Sequence, residues 1–171
     1  MKPVNTNDSF LQAYDQYADA IFRHCFFRVF DRERAQELMQ EAFMKTWEVV
    51  AGGQEIQNLR AFLYRVANNL IIDNARKKKS ASLEKMQEEQ GFDPGHDIRN
   101  SLDATIEGKD LVKLVSALEP KYREVLMMRY VDDLTPKEIA AIIDETENNV
   151  SVRLHRATQQ IRDLGKQKHG R

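Results

Sequence analysis

Side chains that can contact bases and phosphates recur along one predicted helix near the C-terminus of this 171-residue chain. They comprise amide, hydroxyl and imidazole groups and a valine, with two arginines beside them. The residues are Asn148, Ser151, Val152, Arg153, His155 and Arg156. Polar groups of this kind hydrogen-bond to base edges, valine can contact a thymine methyl group, and guanidinium groups bind phosphates. The pattern therefore predicts a helix that reads DNA bases with one face and binds the backbone with its flanks.

Two short helices joined by a tight turn must position these side chains. Thr135 can cap the first helix, Pro136 suits its first position, and Glu138 lies where a capping-box carboxylate reaches back. Thr146 can cap the second helix. The apolar residues that recur at helical spacing are Ile139, Ala140, Ile143, Val150, Leu154, Ala157, Ile161 and Leu164. This order of caps and apolar stripes predicts a DNA-binding helix-turn-helix.

The turn contains Asp144 where helix-turn-helix units usually have glycine, because that residue often needs a left-handed backbone. Aspartate tolerates this conformation better than most residues, so a helix-turn-helix is still predicted with Asp144 in place of glycine. The alternative for this segment is an ordinary helical hairpin whose polar face is only solvated.

A second candidate nucleic-acid surface lies on a helix predicted over Leu59 to about Lys79. Its inward positions are Leu59, Leu63, Val66, Ala67 and Leu70. Its outward side carries Arg65, Asn69, Ile72 and Arg76, with Asn68 at the edge and Lys77 continuing the charge. An isoleucine among amides and cations suits bases that have left the stack, whereas a solvated basic helix end would not need it. The alternative is that these cations are only solvated at the C-terminal end of the helix, where the helix dipole favours positive charge.

Two further helices precede this one. Asp8 or Ser9 can cap the first, which is predicted to run to about Phe30, and Asp31 can cap the second. Gly52 and the glycine after it end the second helix, and a loop follows. The outer face of the second helix carries Glu37, Gln40, Glu41 and Met44. A methionine among carboxylates suits docking onto another helix, although solvation is the usual role of such a face.

The chain as a whole is not basic, but its charged residues are segregated along the sequence. The formal net charge is −1 with 31% charged residues. Residues 59–79 and 148–171 each hold six basic residues and one acidic residue, while residues 80–108 hold two basic and seven acidic residues. No strand or repeat pattern is present. We therefore expect an all-α fold of two small helical domains, 1–79 and 102–171, joined by a flexible acidic linker over 80–101.

Several functional classes receive no support. The single cysteine, Cys25, neighbours His24 on a phenylalanine-rich helix, which favours a packed core thiol in a reducing compartment over a metal site. No leader or membrane segment is visible, so we expect a cytoplasmic, soluble protein without membrane insertion. The acidic residues are scattered and the glycine pair lacks the lysine of a phosphate-binding loop. No enzyme activity, metal or cofactor is predicted.

The sequence resembles the extracytoplasmic-function, or group 4, sigma factors of bacterial RNA polymerase. Four motifs in order carry the resemblance, and it covers nearly the whole chain. They are AQELMQEAFMKTW (Ala35 to Trp47), LRAFLYRVANNLIID (Leu59 to Asp73), ALEPKYREVLMMRY (Ala117 to Tyr130) and the EIA…VSVRLHRA unit (Glu138 to Ala157). The resemblance implies an N-terminal domain that recognises and melts the −10 promoter element and a C-terminal domain that reads the −35 element.

The resemblance also implies a role and a binding partner for each of the predicted surfaces. The face with Glu37, Gln40, Glu41 and Met44 would dock on the clamp helices of the largest polymerase subunit, and the flap region would be a second polymerase contact. The surface with Arg65, Asn68, Asn69 and Arg76 would act at the −10 element, with the 51–58 loop holding a flipped base. The outward face that starts at Asn148 would read the −35 element. An anti-sigma protein is a further candidate partner.

Two other classes compete with this interpretation. An autonomous two-domain transcription regulator would bind DNA without polymerase, and a sensory pocket, for which residues 1–100 show no sign, would favour it. A nucleic-acid enzyme would need clustered carboxylates, which this sequence lacks.

Overall fold

The computed structural model describes residues 6–85 and 113–169, and every regular element within these ranges is an α-helix. The chain divides into two compact units, Met1–Gly91 and Phe92–Arg171. The prediction of an all-α fold is confirmed for the described residues.

The N-terminal unit is a bundle of three helices, each of which packs against the other two. The helices are α1 (Thr6–Val29), α2 (Arg32–Ala51) and α3 (Leu59–Lys85). Each contributes to one core, whose fully buried members include Ile21, Cys25, Ala35, Leu38, Ala42, Leu63, Tyr64 and Ala67. Cys25 is thus a core thiol, as the sequence predicts, and the neighbouring His24 is buried with its ring edge-on to Tyr64, at 5.1 Å between centroids.

Local signals set most helix ends in this unit. Asp31 caps α2 by accepting a hydrogen bond from the Arg34 amide at 3.0 Å, and Gly52 closes its C-terminus. Asn58 Oδ1 accepts from the Ala61 amide at 2.9 Å and so caps α3. The first helix begins at Thr6, ahead of the predicted caps. Asp8 lies within its first turn, where a carboxylate is favoured by the helix dipole.

The third helix is longer than the sequence predicts. It continues to Lys85, so residues 80–85 belong to α3 and not to the linker expected from Ser80 onward. The physical reason is that residues 80–85 contain neither glycine nor proline, so nothing breaks the helix once it has formed. The rest of the predicted linker, 86–101, lies outside the described residues.

The C-terminal unit contains a helical segment at 113–116 and three further helices, α4 (Pro120–Tyr130), α5 (Pro136–Ile143) and α6 (Glu147–His169). All three pairs among α4, α5 and α6 are in contact. One core cluster comprises Leu118, Tyr122, Leu126 and Ala157, with Val115, Ile161 and Leu164 packed against it.

Two side chains of α4 differ from the sequence prediction. The apolar residues of α4 recur in the sequence through Tyr122, Val125, Leu126, Met127 and Tyr130, which predicts an inward Met127 and Tyr130. In the structure Met128 is the fully buried methionine of α4, and Tyr130 is 69% exposed. Because α4 packs against both α5 and α6, its buried surface is wider than a single stripe and takes in Met128. Tyr130 is the last residue of α4, and Arg129 lies over its ring at 5.9 Å.

The helix-turn-helix has the predicted caps and turn. Thr135 Oγ1 accepts from the Glu138 amide at 3.2 Å, and Glu138 Oε2 accepts from the Thr135 amide at 2.9 Å, which completes the capping box. Asp144 adopts the left-handed conformation, with φ 56° and ψ 50°. Thr146 Oγ1 accepts from the Asn149 amide at 3.2 Å and caps α6. These local bonds fix where α5 ends and α6 begins.

The left-handed backbone at Asp144 gives a stability prediction. The Asp144→Gly variant should be more stable than Asp144→Ala by about 1 kcal/mol, because a β-carbon is disfavoured at this φ. At Ala141, an exposed position inside α5, the order should reverse, so Ala141→Gly should lose about 1 kcal/mol relative to wild type. Thermal unfolding of the full chain measures both pairs. Equal stability of Asp144→Gly and Asp144→Ala would contradict the assigned strain.

Candidate nucleic-acid interface

The outward face of α6 carries most of the side chains predicted to contact the −35 element. Asn148, Ser151, Val152, His155 and Arg156 are all exposed, and Val152 remains 40% exposed despite being apolar. On the opposite side Val150 and Ala157 are fully buried. The buried stripe fixes the rotation of α6 within its unit, so these five side chains share one accessible face.

Arg153 has a different environment from the other five predicted residues. Its Nη2 is hydrogen-bonded to Glu145 Oε1, and the two side chains are only 30% and 29% exposed. Glu145 Oε2 accepts a second hydrogen bond, from Asn149 Nδ2 at 3.0 Å. The hydrogen bond from Asn149, and next the charge of Arg153, lower the pKa of the Glu145 carboxyl, so this group stays ionised at neutral pH.

The outward face of α3 matches the predicted mixed surface at five of its six positions. Arg65, Asn69, Ile72, Arg76 and Lys77 are exposed, with Ile72 at 43%. The guanidinium of Arg76 is 3.9 Å from the Asp73 carboxylate in an exposed pair, which water screens strongly. The apolar side chain of Ile72 therefore lies among one amide, Asn69, and three cations on an accessible helix face.

Asn68 is the exception on α3. The sequence places it at the edge of the outward face, but it is buried, with 6% of its surface exposed. The reason is that α3 packs against both α1 and α2, so its buried surface extends past the predicted stripe to Tyr64 and Ile71. A residue at the edge of a stripe is then enclosed by the second neighbouring helix.

Sequence reasoning also missed Asn74, a second buried amide on α3. Its Oδ1 accepts a hydrogen bond from Arg34 Nε at 2.7 Å, which connects α3 to the start of α2. Only its seven-residue spacing from Ala67, two helical turns, could have indicated an inward position.

The outward face of α2 carries the residues predicted to dock on polymerase. Glu37, Gln40 and Met44 are exposed, Met44 at 64%, and Glu41 is partly exposed. Both acids have cations of the same helix nearby: Arg34 Nη1 is 2.6 Å from Glu37, and Lys45 Nζ is 3.8 Å from Glu41. The face is therefore a methionine surrounded by balanced charge, not a purely acidic patch.

Other kinds of site find no support in residues 6–85 and 113–169. No group of three or more histidine, cysteine, aspartate or glutamate side chains there could hold a metal ion. Within the same ranges, no helix has the length and apolar character needed to cross a membrane.

Comparison with protein-family models gives two matches in the expected order. Residues 13–81 match the sigma-70 region 2 family, and residues 109–161 match the sigma-70 region 4 family. Together the matches span most of the chain, and each falls in a different compact unit.

Curated relatives match along nearly the whole length. The extracytoplasmic-function (ECF) RNA polymerase sigma factor SigW of Bacillus subtilis is 29% identical over 92% of this chain and 91% of its own. The ECF sigma factor SigL of Mycobacterium tuberculosis is 25% identical over 87% of this chain and 84% of its own. The chain belongs to the extracytoplasmic-function sigma factors. As an ECF sigma factor it directs RNA polymerase to promoters and initiates transcription, which decides against the autonomous regulator.

Solved structures support the same fold. The sigma factor RpoE of Bartonella quintana, solved with the anti-sigma factor NepR, has a TM-score of 0.70 at 19% identity and covers 92% of this chain and 97% of its own. CnrH, solved with the cytosolic domain of CnrY, has a TM-score of 0.65 at 18% identity, covering 92% of this ECF factor and 88% of its own chain.

The two neighbouring asparagines of α3 in this ECF factor should respond differently to mutation. Asn68→Ala should lower the free energy of unfolding by about 1–2 kcal/mol, because it removes a buried polar side chain from the packing of three helices. Asn69→Ala, at an exposed position, should stay within about 0.5 kcal/mol of wild type. Chemical denaturation of the two variants measures the difference. If Asn69→Ala were the more destabilised, the rotation assigned to α3 would be wrong.

Proposed function

We propose that α6 reads the −35 element through the exposed row of Asn148, Ser151, Val152, His155 and Arg156. The observation that carries the proposal is this row, which lies opposite a buried stripe on the second helix of a helix-turn-helix. Ser151 and His155 are one turn apart and can hydrogen-bond to base edges, with Val152 between them for a thymine methyl. Arg156 lies at the flank, where it can bind a phosphate. Arg153 is not part of this row, because its guanidinium is hydrogen-bonded to Glu145.

The outward face of α3 is proposed to act at the −10 element. Melting needs a surface that holds unstacked bases, and exposed Ile72 with Asn69 offers apolar contact and amide hydrogen bonds. Arg65, Arg76 and Lys77 supply charge for the single-stranded backbone. The loop between Ala51 and Leu59 would hold a flipped base. Buried Asn68 is assigned a structural role in place of the base contact first expected of it.

The outward face of α2 is proposed to dock on the clamp helices of the largest polymerase subunit. An exposed methionine adapts its shape to a partner helix, and Glu37, Gln40 and Glu41 around it can pair with basic and polar groups. The C-terminal unit would contact the flap region. The chain would contribute no catalytic group, since the chemistry of RNA synthesis would belong to core polymerase.

The domain limits and one more partner complete the proposal. The −10 domain would end with α3 at Lys85, and the −35 domain would occupy residues 102–171. One solved structure described above contains the anti-sigma factor NepR, and the other contains the cytosolic domain of CnrY. A partner of the same kind is proposed to hold this factor inactive.

Charge reversal on α2 tests the docking face. Glu41→Lys should lower affinity for core polymerase about tenfold or more, because it places a cation where the partner is expected to present one. Asp19→Lys, at an exposed position on α1 outside this face, is the matched control and should bind like wild type. Titration of labelled core polymerase measures both. Normal binding by Glu41→Lys and Glu37→Lys together would show that docking occurs elsewhere.

Substitutions on α6 test base reading against phosphate binding. Ser151→Ala or His155→Ala should cost about 1–3 kcal/mol on the preferred −35 sequence and relax base choice at one or two positions. Arg156→Ala should weaken all sequences alike and reduce the salt slope by about one. Transcription from a promoter library by holoenzyme, at two salt concentrations, separates the two effects. A changed base preference with Arg156→Ala but none with His155→Ala would mean that α6 is rotated differently in the groove.

A further inference from the structure

Glu145 connects the two helices of the helix-turn-helix through both its backbone and its side chain. Its amide donates to the Ala140 carbonyl of α5 at 3.0 Å. Its two carboxylate oxygens accept from α6, one from Asn149 Nδ2 at 3.0 Å and the other from Arg153 Nη2. The carboxylate thus bonds to residues in the first and second turns of α6 while its own backbone is bonded to α5.

This arrangement occupies an arginine that would otherwise be available to DNA. Arg153 is three residues before Arg156 on α6, but its side chain is only 30% exposed, whereas Arg156 is exposed. Carboxylate and phosphate are both ligands of the guanidinium fork, and the ionised Glu145 both holds the guanidinium in the turn and offsets its charge, which weakens its attraction to a phosphate. The carboxylate of Glu145 therefore competes, within the same unit, with a DNA phosphate for Arg153.

We propose that Glu145 is a positioning residue that keeps Arg153 in the turn, so that Arg153 orients the recognition helix instead of binding the DNA backbone. The proposal rests on the proposed role of α6 in −35 reading. Each arginine that binds a phosphate strengthens binding to every sequence alike and steepens its salt dependence. Keeping one arginine away from phosphate therefore weakens binding at the many non-specific sites that compete with a promoter.

Salt dependence distinguishes a held arginine from one that binds phosphate. Holoenzyme reconstituted from core polymerase and the full chain is titrated with promoter duplex carrying either the library-selected or a scrambled −35 sequence. The variants are Glu145→Gln, Arg153→Gln and the double variant, which has the same net charge as wild type. Glu147→Gln removes the same charge from a nearby exposed position of α6, and Arg156→Gln removes an exposed arginine.

The proposal predicts a specific order of salt slopes. Glu145→Gln should free Arg153 and increase the slope by about one on both duplexes, so that affinity falls roughly threefold further between about 50 and 200 mM salt. The double variant should return to the wild-type slope. Arg153→Gln and Glu147→Gln should also keep that slope, whereas Arg156→Gln should reduce it by about one. Far-ultraviolet circular dichroism establishes that the variants are folded.

Three results would overturn the proposal. If Arg153→Gln lowers the slope as Arg156→Gln does, Arg153 already binds phosphate in the wild type. If Glu145→Gln has the wild-type slope, or one no steeper than Glu147→Gln, no arginine was withheld. In both cases the proposed function survives provided that His155→Ala still changes −35 base preference. If His155→Ala and Arg156→Gln both behave as wild type, α6 does not lie on the −35 element and both proposals fail.

Discussion

The turn between α5 and α6 is the constraint on which the proposed DNA-contacting unit of this protein depends. Only three residues, Asp144 to Thr146, separate the two helices. Any change in the backbone of these three residues would therefore change the direction of α6 relative to α5. Left-handed Asp144 ends α5, Thr146 caps α6, and the capping box fixes the start of α5. The direction of α6, the proposed recognition helix, is therefore set by hydrogen bonds within a few residues, and its apolar stripe fills the space beside them.

In the N-terminal unit, α3 both packs into the core and carries a proposed nucleic-acid surface. One side of α3 packs against both α1 and α2, while its other side presents Ile72 beside Asn69 and several cations. Because two neighbours cover α3, its buried surface takes in Asn68 and Asn74 as well as the apolar stripe. The hydrogen bond between Arg34 and Asn74 satisfies one of these polar groups and joins the helix of the proposed docking face to the helix of the proposed melting face.

Charge in this sigma factor acts locally. The whole chain is nearly neutral, yet basic residues are concentrated on α3 and α6. Within each unit some charges are neutralised by neighbours, as at Arg34 with Glu37 and at Arg153 with Glu145. Such pairs decide which cations remain available to a polyanion, so a count of arginines along a helix overestimates its phosphate contacts. Arg65, Arg76 and Arg156 are among the exposed arginines that could take that proposed role.

The sequence by itself determined the features that depend on neighbours in the chain. The caps at Asp31, Asn58, Thr135 and Thr146, the left-handed turn at Asp144, and the exposed faces of α2 and α6 all follow from side chains within one or two helical turns. The change in composition at Ser80 is a weaker signal than a cap. The predicted end of α3 was therefore six residues too early, in a segment that contains no glycine or proline.

Tertiary structure alone decided which residues at the edge of a stripe become buried and which charges are paired. Asn68 is enclosed because a second helix covers that side of α3, and Met128 is buried because α4 has two neighbours. Arg153 lies eight residues from Glu145, across a helix boundary, so regular helical spacing does not reveal the pairing. Periodicity describes one helix in isolation, whereas burial depends on how many helices surround it, and that number is a property of the packed unit.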